Sequence, residues 1–323
     1  MRVATFNVQN LRLRARDGVR RYDGARDHDM PEDATPEAAA LDLADRRLTA
    51  SVMARAGADV FCLQEVFDRA TLDHFHNHLL RHAGAAPWPH RVCLPGNDGA
   101  GRDLAVMSRL PLAELRSHAD LTAPALGLRD LPDARPDRPV FCRDCLMVRI
   151  GALVLFNCHF KAPWPDPAFE QRRLEALALR ALIARYCPGP DALWLVLGDL
   201  NEPMQPPGQP RAISPLLGGF SVDLVARMPE AERWTWAGPQ GLHARPDAML
   251  ASPALARRFP LARPVALREG MGLEASRHAG PRLPDVGAHR PRASDHALLM
   301  IDFEGLGARG RGGRICHGFV TRP

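Results

Sequence analysis

Short uninterrupted apolar runs alternate along this chain with stretches of helical spacing. Val3-Ala4-Thr5-Phe6 opens as a strand, and Ala40, Leu41, Leu43, Leu48, Val52 and Met53 place apolar side chains at helical intervals. A Gly57-Ala58-Asp59 turn then feeds Val60-Phe61-Cys62-Leu63, which has the length and bounds of a buried strand. The pattern recurs. Leu104 to Ser108 is a short apolar run, Leu146 to Ile150 and Leu153 to Phe160 form a hairpin around Gly151, and Phe169 to Tyr186 has helical spacing. Leu193 to Leu197 follows as another buried strand, with Ala248 to Leu250 and Ala297 to Asp302 later among Pro- and Gly-rich connections. Residues 12 to 40 are rich in Arg, Asp, Gly and Pro without periodicity, which predicts a long surface loop. Strands with interspersed helices predict an α/β or α+β layered domain, and no internal repeat is visible.

Composition narrows the class. A chain of 323 residues fits one large domain, taken as residues 1 to 304, followed by a Gly/Arg-rich tail from 305 to 323 that reads as disordered. Apolar content of 46% and charged content of 24% are those of a soluble globular protein, and no apolar run approaches the ~20 residues of a membrane span. No stable membrane insertion is expected. The start, Met1 to Asn7, lacks an apolar leader region, and the seven cysteines lie mostly in apolar runs, so a cytoplasmic, reducing location is expected. Cys142 and Cys145 form a C-x-x-C without a second pair or paired histidines, which reads as ordinary strand sequence. The net charge of +5 is carried by arginine, Lys161 being the only lysine, and it suits a polyanionic substrate. Nothing in the chain predicts a protein partner.

Polar residues gather where apolar runs end. Asn7 follows Val3 to Phe6, Glu65 follows Cys62-Leu63-Gln64, His159 follows Leu155 to Cys158, Asp199 and Asn201 follow Leu195 to Gly198, and Asp295-His296 precede the last strand. Any one of these is explained by a strand end satisfying its own turn; five together point to a shared cleft. Hydrolysis of a phosphate ester requires charge neutralised on nonbridging oxygens, a deprotonated water and a stabilised leaving oxygen, and this residue set offers those functions. Hard oxygen ligands such as Glu65 and Asp295 suit Mg²⁺ or Mn²⁺ rather than zinc.

Thr5-Phe6-Asn7-Val8-Gln9-Asn10, Leu63-Gln64-Glu65-Val66, Asn157-Cys158-His159-Phe160-Lys161, Gly198-Asp199-Leu200-Asn201 and Ser294-Asp295-His296 occur in this order. Taken together they resemble the endonuclease/exonuclease/phosphatase superfamily, which includes DNase I, exonuclease III and the neutral sphingomyelinases, from residue 2 to about residue 303. The resemblance implies a four-layer α/β/β/α sandwich. It implies that Glu65 binds the metal, with Asn7 close to metal and phosphate and Asp295 a further ligand. Asp199 is implied to orient or deprotonate the attacking water, Asn201 to hydrogen-bond the phosphate or that nucleophile, and His159 and His296 to contact phosphoryl oxygens. Asp247 matches the position that sets the charge of His296, although Pro246 and Met249 stand where the family usually has an aliphatic and an aromatic residue. Trp234-Thr235-Trp236 resembles the Thr-Trp element that packs beneath the site, and Arg102 and Lys161 are candidates for substrate binding.

The superfamily motifs fix chemistry but not substrate. A phosphodiesterase acting on nucleic acid is the first expectation, from the basic balance and Arg102. A lipid or small-molecule phosphoesterase is the second, although no long apolar hairpin that enters a membrane is apparent. A noncatalytic domain of the same fold would lack one or more of Glu65, Asp199, Asn201 and His296, and all four are present.

Overall fold

The computed structural model describes residues 1–16, 18–26, 35–129, 131, 134–164, 168–203 and 208–307. In chain order, strand β1 (Arg2–Leu11) is followed by the hairpin β2 (Leu13–Arg16) and β3 (Val19–Tyr22), helix α1 (Pro36–Ala56), β4 (Val60–Val66) and α2 (Arg69–Phe75). Next come β5 (His90–Leu94), β6 (Asp103–Ser108), β7 (Glu114–Arg116), β8 (Cys145–Ile150), β9 (Leu153–His159), α3 (Phe169–Tyr186) and β10 (Leu193–Asp199). The chain continues through β11 (Val222–Asp223), β12 (Trp236–Ala237), β13 (His243–Ala244), β14 (Asp247–Ala251), α4 (Pro253–Arg258), β15 (Val265–Leu267) and β16 (Leu298–Asp302).

Two six-stranded mixed sheets carry the architecture. The first runs β15-β16-β1-β4-β6-β5 and the second β11-β14-β10-β9-β8-β7. Each has a parallel pair at its centre, β1 with β4 and β9 with β10, joined by one long helix. Outside each pair lies an antiparallel strand, β16 beside β1 and β14 beside β10.

The apolar runs are continuous because both faces of these strands are covered. Along β4, Val60 and Cys62 join a core layer shared with Leu155, Leu195 and Leu197 of the second sheet, whereas Phe61 and Leu63 face Val52 and Met53 of α1. Along β9 and β10, Phe156 and Val196 meet Leu174, Leu179 and Leu182 of α3. Helix, sheet, sheet and helix therefore stack as the α/β/β/α sandwich. In the layer between the sheets, Gln64 donates to Asn157 Oδ1 at 2.7 Å and to Thr5 Oγ1 at 3.0 Å, and Asn157 donates to the carbonyls of Leu63 and Ala105 at 3.1 Å. This buried polar pin fixes one sheet's register on the other just beneath the strand ends.

Helix α1 starts where Thr35 caps Ala38 N–H at 3.2 Å and Pro36 occupies the first turn, and it stops at Gly57 in the left-handed region. The long loop expected over residues 12 to 40 is interrupted by the β2–β3 hairpin, with Leu13 opposite Tyr22. Four-residue strands with several arginines carry too little periodicity to be read from sequence. Cys142 precedes β8, which begins at Cys145. All but three residues of the expected tail, from 308 onward, lie outside the described residues. Among the described residues no helix is long and apolar enough to cross a membrane.

Candidate active site

Strand parity builds most of the site. The side of β1 that carries Val3 and Thr5 between the sheets ends in Asn7; the matching side of β9 ends in His159, and that of β10 in Asp199. All three are buried. Parity alone would send Glu65 outward with Phe61 and Leu63. A bulge between Gln64 and Val66, with Glu65 at φ 66°, turns it back toward the cleft. Its Oε1 then accepts from Asn7 Nδ2 at 3.1 Å and its Oε2 from the Asn10 peptide N–H at 3.0 Å.

Asn7 Nδ2 also donates to Asp199 Oδ2 at 3.1 Å, so one carboxamide links the two sheets' carboxylates. His159 Nε2 lies 3.5 Å from Asp199 Oδ2 and 4.0 Å from Glu65 Oε1. Asp199 Oδ1 is fixed by the Asn201 peptide N–H at 2.9 Å, leaving Oδ2 toward the cleft. Gly198 sits at φ 128° against the Cys158 carbonyl, where a Cβ would overlap that oxygen, so only glycine fits before Asp199. The Asn201 side chain turns to its surroundings instead, donating to Phe160 O at 3.0 Å.

His296 approaches from the end of β16. Its Nδ1 pairs with Asp247 Oδ2 at 2.8 Å, and its Nε2 is 3.8 Å from Asp199 Oδ2. Asp247 is the first residue of β14, and Thr235 Oγ1 donates to the same oxygen at 2.6 Å. Pro246 and Met249 therefore do not displace it. Sequence reasoning noted the Thr-Trp element but gave the Thr235 hydroxyl no role. It also gave none to Ser294, whose Oγ donates to Asn7 O at 2.7 Å, or to Gln9, whose Oε1 accepts from the Asp295 peptide N–H at 3.2 Å.

The charges follow from burial and neighbours. Burial opposes the charged form of His296, but Asp247, Asp295 and Asp199 outweigh it and hold the imidazole protonated well above its usual 6.5. His159 is driven the other way, well below 6.5, by burial and by the positive charges of Arg143, Arg102 and His296. It is thus a neutral ring, and its Nδ1 is buried without a partner among the described residues. With Nε2 facing two carboxylates, the proton belongs on Nε2. Burial pushes Asp199 up to about 6, with His296 pulling down and Asp247 pushing up.

The remaining candidates divide. Asp295 stands at the rim, where its Oδ2 accepts from Trp236 Nε1 at 3.0 Å. Arg102 Nε donates to Asp98 at 2.9 Å, and Arg143 shares that carboxylate at 3.2 Å while also donating to Phe160 O at 2.7 Å. Arg143, hidden inside the C-x-x-C, is the basic residue that sequence reasoning missed. The Lys161 peptide N–H donates to Glu175 at 2.9 Å. A groove of about 560 Å³ beside β15, lined by Phe259, Leu261, Val265 and Met300, contains none of these residues.

The donor set fits a hard divalent cation. Among the described residues neither Glu65 nor Asp199 is paired with an Arg or Lys, and their only basic neighbours are His159, which is neutral, and His296. Among the described residues no group of three or more His, Cys, Asp or Glu is placed to hold a metal ion by itself. Carboxylate oxygens such as those of Glu65 are the ligand type that a hard divalent cation takes, with waters and substrate oxygens at its other positions.

The fold recurs in solved structures. The mannosyl-6-phosphatase of Bacteroides thetaiotaomicron is 14% identical, with a TM-score of 0.56 over 94% of this chain and 98% of that one. Truncated Caenorhabditis elegans TDP2 is 18% identical, with a TM-score of 0.53 over 93% and 96%. D. rerio TDP2 complexed with single strand DNA product is 16% identical, with a TM-score of 0.51 over 93% and 97%. Among curated protein sequences none matches the chain. The model of the Endonuclease/Exonuclease/phosphatase family matches residues 4–296, so this chain belongs to that family and is a metal-dependent hydrolase of phosphate esters.

Proposed function

We propose that this protein is a Mg²⁺- or Mn²⁺-dependent phosphodiesterase acting on nucleic acid by in-line attack of water. The observation that carries the reading is the convergence of both sheets on Asp199 Oδ2, which has Asn7 at 3.1 Å, His159 at 3.5 Å and His296 at 3.8 Å. Asp199 accepts the proton of the attacking water; with its pKa near 6 it is ionised at neutral pH yet still basic enough for the task. Protonated His296 and the Nε2–H of His159 donate to phosphoryl oxygens, where negative charge grows in the transition state. Asn201 acts through Asp199, holding Oδ1 still. Glu65 would hold the cation, with Asn7 steadying it through Nδ2, and Asp295 stands at the rim. When bound, that ion neutralises charge on the phosphate and lowers the pKa of a bound water.

Nucleic acid as substrate is supported by the net charge of +5 and by the basic residues Arg102, Arg143 and Lys161 around the His159 end. It is also supported by the single strand DNA product bound to D. rerio TDP2. Assays with Mg²⁺ on single-stranded DNA, plasmid DNA, RNA, sphingomyelin, bis(p-nitrophenyl) phosphate and p-nitrophenyl phosphate, with chelator controls, test this reading. Cleavage of DNA or RNA that chelator abolishes supports it. Turnover of the monoester alone would make the protein a phosphatase, and turnover of sphingomyelin alone a lipid phosphodiesterase.

A further inference from the structure

The inward face of α1 is apolar in its later turns, at Leu48, Val52 and Met53, but polar in its earlier ones. It carries Asp42, Asp45, Arg46 and Thr49, all buried. Arg46 is wholly buried, and its guanidinium donates to five backbone carbonyls at 2.5–3.0 Å: Asp23, Val8, Gln9, Asn10 and Gly24. Three of these are consecutive. Val8, Gln9 and Asn10 converge their oxygens on one side of the chain because Gln9 and Asn10 lie at φ 48° and 57°. Each such residue costs about 1–2 kcal/mol when it is not glycine, and three buried oxygens pointing together repel one another. The same turn places the Asn10 N–H on Glu65 Oε2 and the Gln9 side chain on the Asp295 peptide.

We propose that Arg46 is a positioning residue for the cation side of the site: by binding the Val8, Gln9 and Asn10 carbonyls it maintains the left-handed turn that orients Glu65. This rests on the reading above that Glu65 holds the cation. Guanidinium suits the task because it presents five donors in a rigid plane, whereas an ammonium has three and needs a closer, rounder nest. Burial lowers Arg46 to about 10, so it stays charged at neutral pH. Next to it, Asp45 accepts from the Ala25 and Arg292 peptides at 2.8 Å, and Thr49 Oγ1 donates to Ala293 O at 2.7 Å. One helix face thereby ties the tip of β1 to the Ala25 peptide and to the 292–293 segment.

The test is Mn²⁺ affinity, measured from free-ion electron paramagnetic resonance on purified wild type, Arg46→Lys and Arg46→Lys/Asn10→Gly, alongside thermal unfolding. Arg46→Lys should weaken Mn²⁺ binding at least about 10-fold, the worth of one charge-assisted hydrogen bond to Glu65. The double variant should recover binding to within about three-fold, because glycine holds φ 57° without help, even though the unfolding temperature stays low. A general loss of packing would not be repaired by glycine in the turn. Wild-type affinity in Arg46→Lys overturns the proposal, as does a double variant no tighter than the single one, or failure of both variants to fold. A wild type that binds no Mn²⁺ sinks the proposed metal chemistry instead.

Discussion

In the first sheet, β1 and β4 form a parallel pair crossed by α1, with β16 antiparallel beside them; in the second, β9 and β10 form a parallel pair crossed by α3, with β14 beside them. Each pair delivers its polar strand ends to one cleft, and each long helix sends a buried charged residue behind those ends. The charges are opposite. Arg46 of α1 donates to five carbonyls, whereas Glu175 of α3, which burial raises to about 7, accepts the peptide N–H groups of Cys142 and Lys161 at 2.9 Å. The first sheet ends in left-handed residues, Gln9, Asn10 and Glu65, that gather oxygen atoms. The second keeps His159 and Asp199 in regular strand register with each other. Under the proposed roles, one scaffold used twice supplies a cation-holding end at Glu65 and a proton-handling end at Asp199.

If the division is right, the two ends fail differently. Asp199→Asn and His296→Ala should each lower turnover at least about 10²-fold, the usual worth of a general base or transition-state donor. Their Mn²⁺ affinity in the same preparations should stay near wild type. Glu65→Gln should do the reverse, weakening Mn²⁺ binding at least about 10-fold and losing more rate at low than at high Mg²⁺. Equal effects on affinity from both ends would erase the distinction.

The pH profile sharpens it around Asp199, which His296 reaches from beside β16 of the first sheet. Activity should rise with pH as Asp199 ionises near 6, then fall as His296 loses the proton that Asp247 helps to hold. Because the folded pKa of His296 is raised, its pairing stabilises the fold fully below about 6.5 and is lost as pH climbs through the folded value. Asp247→Asn should therefore move the alkaline limb of kcat/KM down by at least about one pH unit. An unmoved limb would detach Asp247 from His296 function. The smallest effect on rate is expected at the joint between the sheets. Asn157→Leu removes the acceptor that Gln64 uses and the donor to two carbonyls, costing about 1–3 kcal/mol in chemical denaturation, with turnover at 20 °C changed less than about three-fold.

The central strands were legible because both faces are covered, so Val60 to Leu63, Leu153 to Phe156 and Leu193 to Leu197 are unbroken apolar runs. Edge strands such as His90–Leu94 and Glu114–Arg116 are short and half-exposed, and they left no such trace. The residues Asn7, His159, Asp199 and Asp247 could be found as strand ends or motif positions. What could not be read was their geometry. Glu65 needs a bulge to face the cleft, Arg102 is tied to Asp98, and Asp295 is engaged by Trp236. Helix α1 is legible from Leu48, Val52 and Met53, while its buried Asp45 and Arg46 carry no signal in the apolar pattern. Burial of a charge depends on backbone carbonyls far along the chain, which periodicity does not report.

The most direct trial of the two-ended site is anomalous scattering from Mn²⁺ in crystals of the protein. The account predicts one strong peak within bonding distance of Glu65, with His296 still paired to Asp247 and outside the ion's coordination. A peak coordinated by His296 and Asp247 and leaving Glu65 free would contradict it.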